Sequence, residues 1–152
     1  MTFKEKAIIF DCDGVLLDTE FIFREILELN LKGDARWNYF IDNCNSDKVK
    51  PITNSTKFFF RFIQAGFHIF ISTARNEKCK EETLNKLWKE GFIIPEDNLY
   101  MRKDGDYRVS QEVKKDHLIE ISKNYDIIAF VDDELANCEM AKDFGILALR
   151  KV

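Results

Sequence analysis

Four short apolar runs divide the chain, and polar residues flank each of them. The runs cover residues 7–10, 67–71, 127–131 and 146–149. Near-continuous runs of Ile, Val and Phe are typical of strands that are covered on both faces. They therefore predict a buried, mostly parallel sheet, to which residues 99–101 could add a further short strand.

Segments with helical spacing lie between the apolar runs. They cover residues 21–31, 56–65, 77–90, 112–122 and 135–144. Gly66, Gly91 and Gly145 each follow one of these segments and precede an extended one, as expected for residues that end helices. Because strands and helices alternate, we predict an α/β fold with a doubly wound, Rossmann-like sheet.

The length predicts one domain that spans residues 1–152, since 152 residues with 45% hydrophobic content can bury a single core. Residues 33–51 carry Trp37, Tyr39 and Phe40 between polar positions, which indicates a small helical insertion after the first strand. This possible cap would cover about residues 20–52. It could lie over the carboxyl edge of the sheet or be a connecting helix that only packs.

Composition narrows the classes of partner. A net charge of −4 is the opposite of a general nucleic-acid footprint, so such a partner would require a local cluster of Lys and Arg. The four cysteines include no CxxC pair, which disfavours a zinc site and a disulfide framework. The apolar run at 7–10 is too short for a signal peptide or a membrane span, so we expect a soluble, cytoplasmic protein with no membrane partner.

Two carboxylates, Asp11 and Asp13, follow the first predicted strand and precede Gly14. Ligand sites of α/β proteins form at such carboxyl ends. The pair alone is equally compatible with an acidic turn in which Gly14 supplies a special backbone angle. A calcium loop fits less well, because the glycine of an EF-hand would fall at Leu16.

Further polar groups follow the other predicted strands. Thr73 and Arg75 could present a hydroxyl and a guanidinium to a phosphate, although Thr73 could instead cap a helix and Arg75 could be an exposed residue. Asp132 and Asp133 end a later strand, where helix capping is again the alternative. Lys114 opens a helical segment, where a lysine is usually solvated. In a parallel sheet all these groups would lie at one edge. Residues that only cap separate helices would have no reason to occur together there.

The ordered set resembles the four motifs of haloacid dehalogenase-like phosphatases, which are DxDG, a strand-terminal Ser or Thr, a Lys and a DD pair. The resemblance covers the chain from Lys6 to about Leu149. It implies hydrolysis of a phosphomonoester through an aspartyl-phosphate intermediate. The implied roles are Asp11 as nucleophile, Asp13 as general acid/base, Thr73 as the phosphate-holding hydroxyl, Lys114 as the charge neutraliser, and Mg²⁺ bound by Asp11, Asp13, Asp132 and Asp133.

A second resemblance concerns the substrate. Several residues are similar to the phosphatase domain of phage polynucleotide kinases, which removes terminal 3′-phosphates from nucleic acids; they are Thr73, Ala74, Arg75, Arg102, Gly105, Asp106, Arg108, Val113 and Lys114. The resemblance implies that Arg75, Arg102 and Arg108 bind the substrate. The chain departs from that family because it lacks the kinase GxxxxGK[ST] loop and has a larger segment at 33–51.

Two alternatives from other classes share this chemistry. A nucleotidase or sugar phosphatase would use the same core, and a free nucleotide could bind to the same basic rim, which we define as Arg75, Arg102 and Arg108. A non-catalytic phospho-receiver module also uses strand-end acids, a Thr and a Lys around Mg²⁺. Its phosphorylated Asp lies on a middle strand, however, whereas here the middle strand is followed by Thr73.

Overall fold

The computed structural model describes residues 3–152 and has a central sheet of five parallel strands. The strands are β1 (Glu5–Phe10), β4 (His68–Asn76), β5 (Leu99–Arg102), β6 (Tyr125–Asp132) and β7 (Leu147–Arg150), and their order across the sheet is β5-β4-β1-β6-β7. The predicted parallel sheet is confirmed, including the short strand near residue 100. Because β1 is central, the chain after it lies at the middle of the carboxyl edge.

Six α-helices accompany the sheet in the described residues. They are α1 (Glu20–Glu28), α2 (Gly33–Asn43), α3 (Ser55–Gln64), α4 (Lys80–Lys89), α5 (Ser110–Ser122) and α6 (Leu135–Asp143). The segment predicted as a helix from residue 77 begins with a 3₁₀ turn at Glu77–Cys79, where the Asn76 side chain accepts a hydrogen bond from the Lys78 backbone. Within residues 3–152, no helix has both the length and the apolar character needed to cross a bilayer.

Alternate residues of β1 pack into two separate cores. Ile8 and Phe10 face one side of the sheet, where Phe10 packs against Phe59 of α3 with ring centroids 5.7 Å apart. Ala7 and Ile9 face the other side, which α5 and α6 cover. Each large side chain that is fully buried in this way contributes about 1.5–3 kcal/mol relative to exposure. The period-two alternation therefore produces the doubly wound arrangement that the sequence predicts.

A helical insert follows the first strand. β2 (Leu17–Asp18) pairs antiparallel with β3 (Lys50–Pro51), and the residues between them, which we call the insert, contain α1 and α2. The Tyr39 hydroxyl donates to Glu25 at 2.8 Å, which joins α2 to α1. The two short strands were not predicted, because two residues carry no periodic pattern.

Candidate active site

The loop after β1 brings Asp11 to the carboxyl end of β6. Gly14 has a φ of +80°, and a Cβ atom there would lie 2.2 Å from Asp133 Oδ2. Only glycine has both this left-handed backbone and the space that the Asp133 carboxylate needs. The DxDG spacing therefore allows two strand ends to approach closely.

Lys114 connects Asp11 to Asp132. Its ammonium lies 2.8 Å from Asp11 Oδ1 and 2.6 Å from Asp132 Oδ2. Residue exposure is 6% for Asp11, 2% for Lys114 and 0% for Asp132. Buried charges require such partners, since an isolated one would lose its hydration without compensation. Helix α5 thus places the Lys114 ammonium between the carboxylates that follow β1 and end β6.

The pKa values of Asp11 and Lys114 reflect the burial of the site and its excess of carboxylates over ammonium groups. Burial raises the pKa of Asp11 well above its ordinary value; attraction to Lys114 opposes this, and repulsion from Asp132 adds to it. Burial alone would lower the pKa of Lys114, but Asp11 and Asp132 together hold it above its ordinary value. The pKa of Asp11 thus rises mainly because of burial, whereas that of Lys114 rises because it faces two carboxylates.

Three carboxylates form a cluster that could hold a cation. One oxygen from each of Asp11, Asp132 and Asp133 lies within 4.8 Å of the others, and we call these residues the carboxylate cluster. Burial and repulsion from Asp132 also raise the pKa of Asp133. Oxygen ligands with more negative than positive charge fit a hard divalent ion such as Mg²⁺. The residues present therefore fit the implied metal.

Asn137 supports Asp132 from the next helix. Its Nδ2 donates to the two Asp132 oxygens at 3.3 and 3.2 Å, while the Glu134 backbone N–H donates to Asp132 Oδ1 at 2.9 Å. Among the described residues, Asn137 Oδ1 is a buried oxygen without a hydrogen-bond partner. These bonds leave Asp132 little freedom to turn.

Thr73 lies where the pairing of β4 becomes irregular. β4 runs on to Asn76, but its register with β5 shifts between Ser72 and Asn76. The Thr73 hydroxyl oxygen accepts from the Arg75 backbone at 3.2 Å, and Thr73 is buried. Thr73 therefore does not cap the following helical segment, whose capping side chain belongs to Asn76.

Arg75 joins Asp13 to the insert. Its Nε and Nη2 donate to Asp13 Oδ2 at 2.9 Å and Oδ1 at 2.6 Å. Its other bonds reach Asn45 Oδ1 at 2.6 Å, the Cys44 carbonyl at 3.1 Å and Thr83 Oγ1 at 3.3 Å. Its guanidinium lies 5.8 Å from the centroid of the Phe40 ring. Burial would lower the pKa of Arg75, but Asp13 holds it well above its ordinary value. The side chain of Asp13 thus lies outside the carboxylate cluster.

Arg102 is the last residue of β5, and Arg108 lies in the loop between β5 and α5. Arg102 donates to the carbonyls of Ala74, Asp106 and Arg108 at 3.1, 3.0 and 2.6 Å. Arg108 forms ion pairs with Asp106 at 2.8 Å and Asp116 at 2.6 Å. Hydrogen bonds from Arg108 lower the pKa of Asp106 to about 2. Arg102 therefore binds to β4 and to the loop that follows β5, whereas Arg108 binds to that loop and to α5.

The structure brings together some of the residues singled out by sequence and separates others. Asp11, Lys114, Asp132 and Asp133 meet at one point, whereas Asp13 pairs with Arg75. Sequence reasoning missed Asn45 and Asn137. The position of Asn137 on the helix after the acidic pair was a usable signal, since a residue one turn into that helix returns to the strand end. Nothing local to Asn45 indicates its contact with Arg75.

Comparison with known proteins places this geometry in a family. The family model described as the polynucleotide kinase PNKP phosphatase domain matches residues 5–150. Among curated protein sequences, none shows significant similarity to the chain.

Solved structures share the fold. A chain of the Pnkp1/Rnl/Hen1 RNA repair complex has 22% identity and a TM-score of 0.76; the alignment covers 97% of this chain and 42% of that one. The class C acid phosphatase from Bacillus anthracis has 17% identity and a TM-score of 0.73, with 95% and 63% covered. A haloacid dehalogenase-like hydrolase from Streptococcus pneumoniae has 12% identity and a TM-score of 0.66, with 96% and 84% covered. This chain thus spans less than half the length of the RNA repair protein.

The fold and the family match define a phosphatase of the haloacid dehalogenase-like class. Within that class, the chain belongs to the polynucleotide kinase phosphatase domain family.

Proposed function

We propose that this phosphatase removes the 3′-phosphate from a nucleic-acid end, with Mg²⁺ and through an aspartyl-phosphate on Asp11. The observation that carries the chemical part is the contact of Lys114 with both Asp11 and Asp132, beside Asp133. A buried carboxylate with a cation beside it is suited to attack an anionic phosphoryl group, because the cation offsets their repulsion.

In the first step, an Asp11 oxygen forms a bond to phosphorus and the bond to the leaving alcohol breaks. The Thr73 oxygen already accepts from the Arg75 backbone, so its O–H is available to donate to a phosphoryl oxygen. Lys114 would stabilise the charge on Asp11 and the phosphoryl group. In the second step, water attacks phosphorus, which releases inorganic phosphate and restores Asp11.

Asp13 would move the proton in both steps. It would donate to the leaving oxygen and then take a proton from the attacking water. Because Arg75 donates to both Asp13 oxygens, it holds the carboxylate in one orientation and leaves one lone pair on each oxygen free to carry the proton. Arg75 therefore enters the proposal as the group that orients Asp13, in addition to the substrate contact implied by resemblance.

The carboxylate cluster would hold the metal. A bound Mg²⁺ would supply positive charge to the phosphoryl oxygens, and it would offset the carboxylate repulsion that adds to the effect of burial on the pKa of Asp11. Asp11, Asp132 and Asp133 supply the side-chain oxygens. Asp13 is expected as a fourth ligand from the resemblance, but its two side-chain oxygens face Arg75 and lie outside the cluster.

A nucleic-acid substrate is supported by the family match and by the arginines Arg102 and Arg108. The matching family is a polynucleotide kinase phosphatase domain, and one similar chain comes from an RNA repair complex. Arg102 and Arg108 would meet the phosphates of the strand. Arg108 is half exposed, so strand phosphates could compete with Asp106 and Asp116 for its guanidinium.

The contacts of Arg102 and Arg108 also support a second candidate function. Because Arg102 and Arg108 already have protein partners, a nucleotide or sugar phosphate that needs no strand contact would fit the core equally well. A smaller substrate would depend on Asp11, Thr73 and Lys114 alone.

A phosphate-release assay separates these candidates. We expect Mg²⁺-dependent release from a 3′-phosphorylated oligonucleotide to exceed release from a 5′-phosphorylated oligonucleotide, a nucleoside monophosphate or a sugar phosphate. Asp11→Asn is the matched control, because it keeps the shape of the side chain but loses the nucleophile, and its activity should fall by orders of magnitude. Equal release from mononucleotides would favour the second candidate, and release that survives Asp11→Asn would contradict the covalent mechanism.

A further inference from the structure

A buried histidine lies behind the two residues proposed to hold the phosphate. His117 belongs to α5, three residues after Lys114, so the two side chains share one face of the helix. Its Nδ1 lies 2.7 Å from the Ser72 hydroxyl, and Ser72 directly precedes Thr73. His117 thus neighbours Lys114 along the helix and Thr73 along the strand, yet the proposed reaction does not use it.

The hydrogen bonds determine the form of the imidazole. His117 Nε2 lies 3.1 Å from the carbonyl oxygen of Met101 in β5. A carbonyl only accepts, so Nε2 must carry the proton. In the neutral ring, Nδ1 is then unprotonated and accepts a hydrogen bond from the Ser72 hydroxyl. Burial, which lowers the pKa of His117 to about 4, agrees with a neutral ring.

These two bonds cross the irregular part of the sheet. The register of β4 with β5 shifts directly after Ser72, so regular strand pairing does not hold Thr73 in place there. His117 bonds to β4 through Ser72 and to β5 through Met101, and both bonds come from the helix that carries Lys114. The ring therefore links the strand that carries Thr73 to the helix that carries Lys114.

We propose that His117 is a positioning residue, which sets the Thr73 hydroxyl and the Lys114 ammonium for one phosphate by bonding to Ser72 and Met101. The inference rests on the proposed function, because it concerns the same phosphate site. It assigns no proton transfer to His117. The ring acts through its neighbours, as a neutral group with one donor and one acceptor.

Conservative variants separate the two bonds. Asn places an acceptor the same number of bonds from Cα as Nδ1, so His117→Asn can keep the Ser72 bond and loses the Met101 bond. Gln places a donor at the distance of Nε2, so His117→Gln keeps the Met101 bond and loses the Ser72 bond. Ser72→Ala removes the same bond from the strand side with little change in volume.

Two measurements test the proposal, namely kcat for a chromogenic phosphate ester and the Kd of inorganic phosphate, both with Mg²⁺. We expect Ser72→Ala and His117→Gln to lower kcat and to weaken phosphate binding by about tenfold, the effect of one lost buried hydrogen bond. His117→Asn keeps the Ser72 bond but loses the Met101 bond, so its kcat and phosphate Kd should lie between those of the wild type and those of His117→Gln. Nitrogen NMR of the wild-type ring should show a neutral imidazole protonated at Nε2.

A control distinguishes positioning from stability. Asn98→Ala removes a hydrogen bond of 2.9 Å to the Ile69 carbonyl, at the other end of the same strand. We expect it to lower Tm but to leave kcat and phosphate binding unchanged. If Ser72→Ala and His117→Gln lower Tm in the same way, with phosphate Kd within twofold of the wild type, the positioning role is wrong.

The phosphate measurement also separates this proposal from the proposed function. A wild type that binds phosphate but releases none from any ester would overturn the proposed function, while the comparison of Kd values would still judge His117. A wild-type ring protonated at Nδ1 would overturn the positioning role whatever the activity.

Discussion

Two buried cations contact the proposed catalytic carboxylates, and they are held by different parts of the molecule. Lys114 contacts Asp11 and Asp132, which lie at the carboxyl ends of β1 and β6. Arg75 contacts Asp13 on one side and the Cys44 carbonyl and Asn45 of the insert on the other. The Lys114 contacts therefore depend on the sheet and α5, whereas the position of Arg75 depends also on the insert.

This difference suggests a division of tasks. The proposed nucleophile and the carboxylate cluster lie at the ends of central strands that are packed on both faces, where close packing leaves few alternative arrangements. The proposed acid/base is held by a guanidinium whose other partners lie on a helical insert. A shift of α2 would thus change the surroundings of Asp13 before it changed those of Asp11.

The largest expected effect is the loss of Lys114. Lys114→Met should lower the free energy of unfolding by about 3–5 kcal/mol, because it leaves two buried carboxylates without a cation. Urea denaturation in the presence of EDTA would measure it. Arg75→Met should cost less, since the Asp13 side chain is 19% exposed and can reach water. A larger loss for Arg75→Met would contradict the comparison.

The second prediction concerns pH and the ring beside Lys114. Burial lowers the pKa of His117 to about 4 from an ordinary value of 6.5. Between these values the unfolded chain binds a proton that the folded chain does not, so the stabilising contribution is complete above pH 6.5 and is lost as the pH falls towards 4. The shift corresponds to about 3 kcal/mol at most.

Chemical denaturation at several pH values would test this, with His117→Gln as the reference. Asp11 and Asp133 have raised pKa values and so change stability in the opposite direction. The difference in the free energy of unfolding between the wild type and His117→Gln therefore gives the contribution of His117 at each pH. Parallel curves for the wild type and His117→Gln would show that the ring contributes nothing to the acid sensitivity.

A third prediction uses metal binding to separate the two sides of the site. Mg²⁺ at a hundredfold excess over its Kd should stabilise the wild type by about 2.7 kcal/mol. Asp133→Asn should lose much of this shift in Tm, because Asp133 belongs to the carboxylate cluster. Asp13→Asn should keep it, because both Asp13 side-chain oxygens face Arg75. An equal loss in both variants would place the Asp13 side chain at the metal.

The smallest expected effect concerns the orientation of Asp13. Arg75→Lys keeps the charge but cannot form the paired hydrogen bonds, so kcat/KM for an alkyl phosphate should fall about tenfold. An aryl ester should respond less, because its leaving group departs without protonation. The ratio of the two rates measures the effect, and equal losses would indicate that Arg75 serves phosphate binding instead.

Local sequence was sufficient for the sheet and for the strand-end acids. Apolar runs mark strands because a covered strand must be apolar over its whole length, and parallel strands bring their carboxyl ends to one edge. Asp11, Asp132 and Asp133 could thus be assigned to one neighbourhood from their order alone. The predicted helices end within a few residues of the observed ones because glycine and periodicity are also local signals.

The partners of individual charges depended on long-range packing. Arg75 was expected at the substrate, yet its guanidinium lies between Asp13 and Asn45, which are distant from it in the chain. The bond from His117 to Ser72 likewise joins residues 45 positions apart. No propensity or spacing encodes such contacts, because each is selected by the geometry of elements that meet only after folding. The order of the strand-end residues along the chain is thus enough to predict a phosphatase core, whereas the orientation of the proposed acid/base and phosphate-holding groups depends on how the insert and α5 pack against the sheet.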